Sequence, residues 1–87
     1  MTIHKFVLGN TPVIIAQSVG GVACSAVIKN LGKNPNELIT ITLRKSSSGK
    51  PKTKPIVLKP GQLTFVMAMQ IEMYSDTGST NVEIEFQ

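Results

Sequence analysis

The amino-acid sequence predicts an all-β fold, a small single-domain antiparallel β-sandwich of seven or eight short strands spanning residues 1–87. Three observations predict this fold. Apolar and polar residues alternate with a period close to two along most of the chain, which is typical of strands with one buried face. Turn-forming residues recur at intervals of roughly 8–12 residues, as they do in sandwiches and barrels. No window favours an amphipathic helix, because the segment nearest to one, residues 34–43, carries β-branched residues at period two.

The first half of the chain supplies four predicted strands. "TIHKFVL" alternates weakly, and "PVIIA" is a short apolar run opened by Pro12. "VACSAVIK" and "ELITITLR" alternate clearly, so each has one apolar face, which includes Ile28 in the first and Ile39 and Ile41 in the second. The segments "GNTP", "SVGG" and "NLGKNPN" separate them, and their glycine, proline and asparagine residues favour turns.

The second half supplies the remaining strands. "IVL" is short, "QLTFVMA" is apolar on both faces, and "MQIEMYS" and "TNVEIEF" alternate. "KPGQ" between two of them predicts a type II turn, because Pro60 fixes φ at its second position and Gly61 accepts the positive φ needed at its third. "SDTGST" is predicted to be a hairpin turn between the last two strands.

The composition excludes several classes of protein. Hydrophobic residues make up 41% and charged residues 16% of the chain, with a net charge of +4. This low charged share, against a usual value of about 25%, argues against intrinsic disorder. No segment approaches the roughly 20 apolar residues of a membrane-spanning helix. The single cysteine, Cys24, excludes a disulfide framework and is interpreted as a small buried hydrophobic residue.

The N-terminal residues predict where the protein is made. "MTIHKFVLGN" lacks the charged start, apolar run and small-residue cleavage site of a signal peptide. We therefore expect synthesis in a reducing cytoplasm, where the protein either works or is carried out as part of a particle such as a virion.

No residue pattern predicts catalysis, a cofactor or a metal site. A metal site needs several converging ligands, and the chain has one histidine, His4, one cysteine and five acids without ligand spacing. Asp76-Thr77-Gly78 spells the tripeptide of aspartic proteases, whose chemistry needs two such aspartates sharing a proton. Its flanking residues differ from those of the proteases, and a turn is the favoured interpretation. We expect a protein that is not an enzyme.

A basic stretch, "RKSSSGKPKTK", lies between two predicted strands and contains no acid. We interpret it as a long hairpin loop whose lysines keep a strand edge solvated. Two functional alternatives are binding to an acidic protein surface and neutralisation of nucleic-acid phosphates. Base stacking is not predicted, because no aromatic residue interleaves with the lysines. The candidate partner-binding residues are Arg44, Lys45, Lys50, Lys52, Lys54 and Lys59.

Three methionines, Met67, Met69 and Met73, cluster around Ile71 in "FVMAMQIEM". Methionines in strand phase usually fill irregular gaps in a core. Since this segment is apolar on both faces in a very small domain, the same residues are also a candidate oligomer interface.

The sequence resembles a widespread kind of module from "IKNLGKNPNELITITLRK" through "IVLKPGQLTFVM" to "STNVEIEFQ". It is similar to small immunoglobulin-like or jelly-roll-like β-sandwiches, which occur in bacteriophage and virus particles as capsid decoration or auxiliary proteins and in bacterial surface proteins. The resemblance implies a fold, since Pro60-Gly61 shapes a turn and identifies no activity. The cysteine pair and core tryptophan of immunoglobulin domains are absent.

The favoured hypothesis is a non-enzymatic structural protein of a phage or virus that docks through its surface onto a capsid or onto further copies of itself. The acidic last strand meeting the basic loop of a neighbour would give a head-to-tail ring. The first alternative is a small β-barrel that binds nucleic acid through residues 44–59. The second is a carbohydrate- or receptor-binding adhesin module, for which only Tyr74 offers an aromatic platform.

Overall fold

The computed structural model describes residues 2–45, 51 and 54–87, and confirms the predicted all-β class. Eight strands run in the order β1 (Thr2–Gly9), β2 (Val13–Gln17), β3 (Cys24–Asn30), β4 (Ile39–Arg44), β5 (Ile56–Leu58), β6 (Leu63–Ala68), β7 (Gln70–Ser75) and β8 (Ser79–Phe86). Within these residues no helix is long and apolar enough to cross a membrane.

The strands form two four-stranded antiparallel sheets, which we call the front sheet (β1-β8-β3-β6) and the back sheet (β2-β7-β4-β5). Pairing is nested: β1 pairs with β8, β2 with β7, β3 with β6 and β4 with β5. Successive strands therefore fall in opposite sheets, except at the central β4–β5 hairpin. This is the strand order of a jelly roll, in which one long folded-over ribbon of strands wraps into a sandwich.

This order corrects one turn prediction. "SDTGST" is not a hairpin turn, because β7 lies in the back sheet and β8 in the front sheet. Residues 76–78 instead carry the chain from one layer to the other, with Gly78 at a φ of 91°. The sequence signal for the turn was correct, but turn residues serve hairpins and inter-sheet corners alike.

The core lies between the sheets and follows the alternation of each strand. On β8 the inward residues Val82 and Ile84 are buried, whereas Asn81 faces solvent. The buried hydrophobic residues are Leu8, Ala26, Ile28, Ile39, Ile41, Leu43, Leu58, Val66, Ala68, Ile71, Met73, Val82 and Ile84.

The predicted type II turn at "KPGQ" is confirmed. The backbone amide of Gln62 donates to the carbonyl of Lys59 at 3.0 Å, and Gly61 has a φ of 83°. The turn joins β5 in the back sheet to β6 in the front sheet, so it closes one end of the sandwich.

A buried asparagine, Asn30, forms hydrogen bonds with several segments at this end of the sandwich. Its side-chain amide donates to the carbonyls of Glu37 at 2.7 Å and Leu58 at 2.8 Å, and its side-chain oxygen accepts the amide of Gly32 at 2.7 Å. Its own carbonyl accepts the amide of Gly61 at 2.8 Å. The side chain of Asn30 thus joins the loop after β3 to the end of β5, and its backbone carbonyl adds the turn before β6.

Candidate interaction surfaces

The front sheet has an exposed outer face, and β6 makes it unusually apolar. Small residues of β6 face the core, because Val66 lies opposite Ala26 in the register with β3. The larger residues of the strand therefore point outward: Leu63, Phe65 and Met67 are 60%, 56% and 50% exposed. Large apolar side chains that remain exposed in a row are typical of interaction surfaces.

The middle of the outer face is charged, and its two sides are apolar. Glu83 on β8 lies opposite Lys5 on β1 and Lys29 on β3, and its carboxylate is 3.7 Å from the Lys5 ammonium. Ile3 and Val7 on β1 are 56% and 62% exposed. The acids of the last strand, Glu83 and Glu85, therefore lie on β8, which is an interior strand of the front sheet. Glu83 pairs with Lys5 of the same sheet.

The fold divides the three methionines that formed the candidate oligomer interface. Met73 is completely buried in the core, so its side chain cannot line a surface of the folded domain. Met69 is half-buried between β6 and β7, and Met67 is half-exposed on the outer face. The strands β6 and β7 belong to opposite sheets, which is why residues at similar phase in one sequence segment separate.

The fold also divides the candidate basic site. Arg44 ends β4 with its guanidinium 3.6 Å from the Glu72 carboxylate. Lys45 and Lys54 are exposed at that end of the β4–β5 hairpin, whereas Lys59 is exposed at the opposite end. The prediction for Lys50 and Lys52 lies outside the described residues. Since Lys54 and Lys59 are five residues apart along an extended segment, about 16 Å separates them, and they do not form one compact cluster.

The residues considered for catalysis are dispersed. His4 contacts Phe86 edge-on at 5.5 Å between ring centroids, and Cys24 is half-buried at the start of β3. Asp76 accepts a hydrogen bond from the Thr40 hydroxyl at 3.0 Å, which fixes the corner after β7. In the described part of the chain, no group of three or more histidine, cysteine, aspartate or glutamate side chains could hold a metal ion.

An open cleft of about 370 Å³ lies between β1 and β2, which are edge strands of the front and back sheets. Among the described residues its lining is apolar apart from His4. An apolar cleft with one polar group can hold a hydrophobic side chain, but it lacks the set of directed polar groups typical of a specific ligand site. The lining residues are His4, Phe6, Val13, Ile14, Ile15, Ile84 and Phe86.

Sequence reasoning anticipated an apolar surface on β6 but did not identify its full membership. The sequence predicts that both faces of this strand are apolar and does not distinguish them, whereas in the structure Leu63 and Phe65 point away from the core. The signal that fixes the phase lies in β3: Ala26 and Ile28 are clearly inward, and the antiparallel register places Val66 and Thr64 opposite them. That pairing partner could not be read from the sequence.

No protein-family model matches the chain, and no curated protein matches it. The fold is similar to a solved structure of Bacillus endospore appendages, described as a novel family of disulfide-linked pili. The TM-score is 0.66, and the likeness covers 99% of this chain and 83% of the other. At 8% sequence identity, the likeness establishes the shared fold of the two chains.

Proposed function

We propose that this protein is a non-enzymatic structural subunit that acts by associating with further copies of itself. The observation that carries the proposal is the outer face of the front sheet, where Leu63 and Phe65 remain more than half exposed in a domain of only 87 residues. A small domain has few apolar residues to spare from its core. Their exposure therefore favours burial against another chain.

The likeness to an appendage protein supports the same kind of role. That protein is described as forming pili, and the present fold matches it over nearly the whole chain. The disulfide linkage belongs to the description of that protein. The 87 residues here hold one cysteine, whereas a disulfide-linked row of subunits needs one for each of two neighbours. Association of this chain is proposed to be noncovalent.

The finer part of the proposal is the setting, an accessory component of a phage or virus particle. Its support is the jelly-roll strand order, an arrangement that recurs in viral capsid domains. Detection of the protein by mass spectrometry in purified virus particles would support this setting, and detection in surface appendages sheared from cells would replace it.

The oligomeric state tests the central proposal. Light scattering coupled to size-exclusion chromatography, over a concentration series from micromolar to millimolar, should show mass that rises with concentration. Negative-stain electron microscopy of the concentrated sample should show rings or filaments. A mass equal to 9.4 kDa throughout the series would refute the proposal.

A further inference from the structure

The two sheets differ in how their edges are protected. In the back sheet, β2 is interrupted by a bulge between Ile14 and Ala16, and β5 has three residues placed between Pro55 and Pro60. Bulges, prolines and very short strands are the devices by which proteins prevent an edge from pairing with another chain. In the front sheet, β1 and β6 run eight and six residues in unbroken register, without proline.

The ladder pattern shows which residues of these edges offer backbone groups outward. The amide of Gln87 donates to the carbonyl of Ser25, and that of Leu31 donates to Asn81, so odd-numbered residues of β8 bond to β3. Antiparallel ladders alternate between the two sides of a strand. Even-numbered residues of β8 therefore bond to β1, and by the same alternation the backbone groups of Ile3, Lys5 and Val7 point away from the sheet.

At the other edge of the front sheet, β6, the odd-numbered residues again direct their backbone groups outward. Asn30 bonds through its backbone to Gln62 and Gly61, so even-numbered residues of β3 bond towards β6. Ala26 and Ile28 lie opposite Val66 and Thr64. The intervening residues Leu63 and Phe65 direct their amides and carbonyls away from β3.

The outward backbone positions are also the exposed apolar positions. Leu63 and Phe65 on β6, and Ile3 and Val7 on β1, all carry their side chains on the outer face and are 56% to 62% exposed. Lys5 lies between the last two, with its ammonium directed to Glu83 in the same sheet. Pairing the two edges residue to residue would therefore place apolar side chains beside each other on one face.

Strand direction permits this pairing between copies that are not turned over. β1 is antiparallel to β8, β8 to β3, and β3 to β6, so β1 and β6 run in opposite directions. A second copy displaced sideways brings its β1 alongside β6 as an antiparallel strand. The front sheets of the two copies then form one continuous antiparallel sheet.

We propose that β6 of one copy pairs with β1 of a second copy, so that subunits join edge to edge through their front sheets. The proposal deepens the structural role proposed above and rests on it. The contact is heterologous, with different surfaces on the two copies, and each subunit keeps one edge free for the next, which yields an open filament or a closed ring. A β1–β1 contact would bring Lys5 close to Lys5 of the partner copy, and a β6–β6 contact would leave β1 unpaired.

Lysine substitutions on the exposed face of each edge test the pairing. Phe65→Lys places a charge on the β6 edge, and Val7→Lys places one on the β1 edge. Val57→Lys is the matched control, because Val57 is 52% exposed on β5 at the edge of the back sheet. Thermal melts monitored by circular dichroism establish that each variant folds. We expect each front-sheet variant alone to remain monomeric, because every copy then lacks one of the two edges that the contact needs, and the control to assemble like the wild type.

Mixing the two front-sheet variants gives the decisive measurement. The Phe65→Lys protein retains a usable β1, and the Val7→Lys protein retains a usable β6, so an equimolar mixture should form a heterodimer with one copy of each, detectable by native mass spectrometry. Homodimers of Val7→Lys with no heterodimer would instead indicate β6–β6 pairing and overturn the proposal.

The remaining outcomes separate this inference from the proposed function. Wild-type assembly that both front-sheet lysines leave intact would overturn the edge pairing, while the structural role stands. If Ile14→Lys on β2 blocks assembly and Val7→Lys on β1 does not, then the back sheet supplies the strand that pairs with β6. That result would also overturn the pairing. A wild-type protein that stays monomeric would remove both proposals.

Discussion

Replacing Asn30 by alanine measures how strongly one buried side chain fastens the end of the sandwich. The side chain is completely buried and takes part in three hydrogen bonds, two donated to the carbonyls of Glu37 and Leu58 and one accepted from the amide of Gly32. Alanine removes all three and leaves two carbonyls and one amide without these partners.

The structure gives the size of the effect. Each hydrogen bond contributes about 1 kcal/mol net, and a buried group left without a partner adds to that cost. The expected loss is about 3–4 kcal/mol in the free energy of unfolding. The total free energy of unfolding for a domain of this length is about 4–13 kcal/mol. A loss of about 3–4 kcal/mol should lower the melting temperature by about 15–25 °C.

Urea denaturation followed by far-ultraviolet circular dichroism provides the measurement. The midpoint should fall while the slope with denaturant stays unchanged, since the fold itself is retained. Asn81→Ala is the matched control, because Asn81 is exposed on β8 and its loss should change the free energy by less than about 0.5 kcal/mol. A loss below about 1 kcal/mol for Asn30→Ala would show that the three hydrogen bonds are not what holds this end together.

Asn30→Asp tests the same site with a pH dependence. The introduced carboxyl would face the two carbonyl oxygens out of contact with water, and both surroundings disfavour the charged form and raise its pKa above the unfolded value. A group of this kind stabilises the fold most below its unfolded pKa, and that contribution is lost as the pH rises through the folded pKa. The variant should therefore be less destabilised in acid, where the carboxyl can donate one of the two hydrogen bonds of the amide, than at neutral pH. A penalty independent of pH would contradict the burial of the site.

Three further predictions follow from other features of the fold. Gly32→Ala should cost about 1–3 kcal/mol, measured by the same denaturation, because an added Cβ would lie 2.8 Å from the side-chain oxygen of Asn30; a neutral effect would mean that the loop shifts freely. Met73→Ala should cost about 2–5 kcal/mol and Met67→Ala less than about 1 kcal/mol, since only Met73 is in the core; equal losses would contradict this placement. A fluorescent oligonucleotide should show no binding at physiological salt, and affinity that falls steeply with salt would instead favour the nucleic-acid alternative. The variant for that titration replaces Lys50, Lys52 and Lys54 by alanine.

Local pattern predicted the elements of this fold well, and long-range pairing accounts for what it missed. The alternation in "ELITITLR" and the Pro60-Gly61 turn depend on residues close in sequence, and both appear as predicted. The outward direction of Phe65 depends on its register with β3, and the corner at 76–78 depends on which sheet each strand joins. Neither the strand register nor the assignment of strands to sheets can be predicted from a short window of sequence.

The candidate surfaces were predictable to a different degree. The charges of Lys45 and Lys59 are plain in the sequence, but their positions at opposite ends of the β4–β5 hairpin follow from the three-dimensional arrangement. The methionines likewise separate because the chain changes sheets between Met67 and Met73. Which charged or apolar residues lie side by side depends on the folded surface. Composition alone therefore overestimates how many of the predicted site residues are in contact.

The nested pairing of strands also governs when the protein can fold. In β1, Thr2 lies opposite Phe86 and Gly9 opposite Ser79, so the first strand synthesised finds its neighbour only in the last. At a ribosomal rate of about 5–20 residues per second, roughly 4–14 s separate the synthesis of β1 from that of β8. During that interval the backbone groups of β1 have no strand of their own chain to pair with in the native register. Among the strand pairs that the structure describes, β4–β5 joins the residues closest in sequence, so its loop closure costs the least entropy.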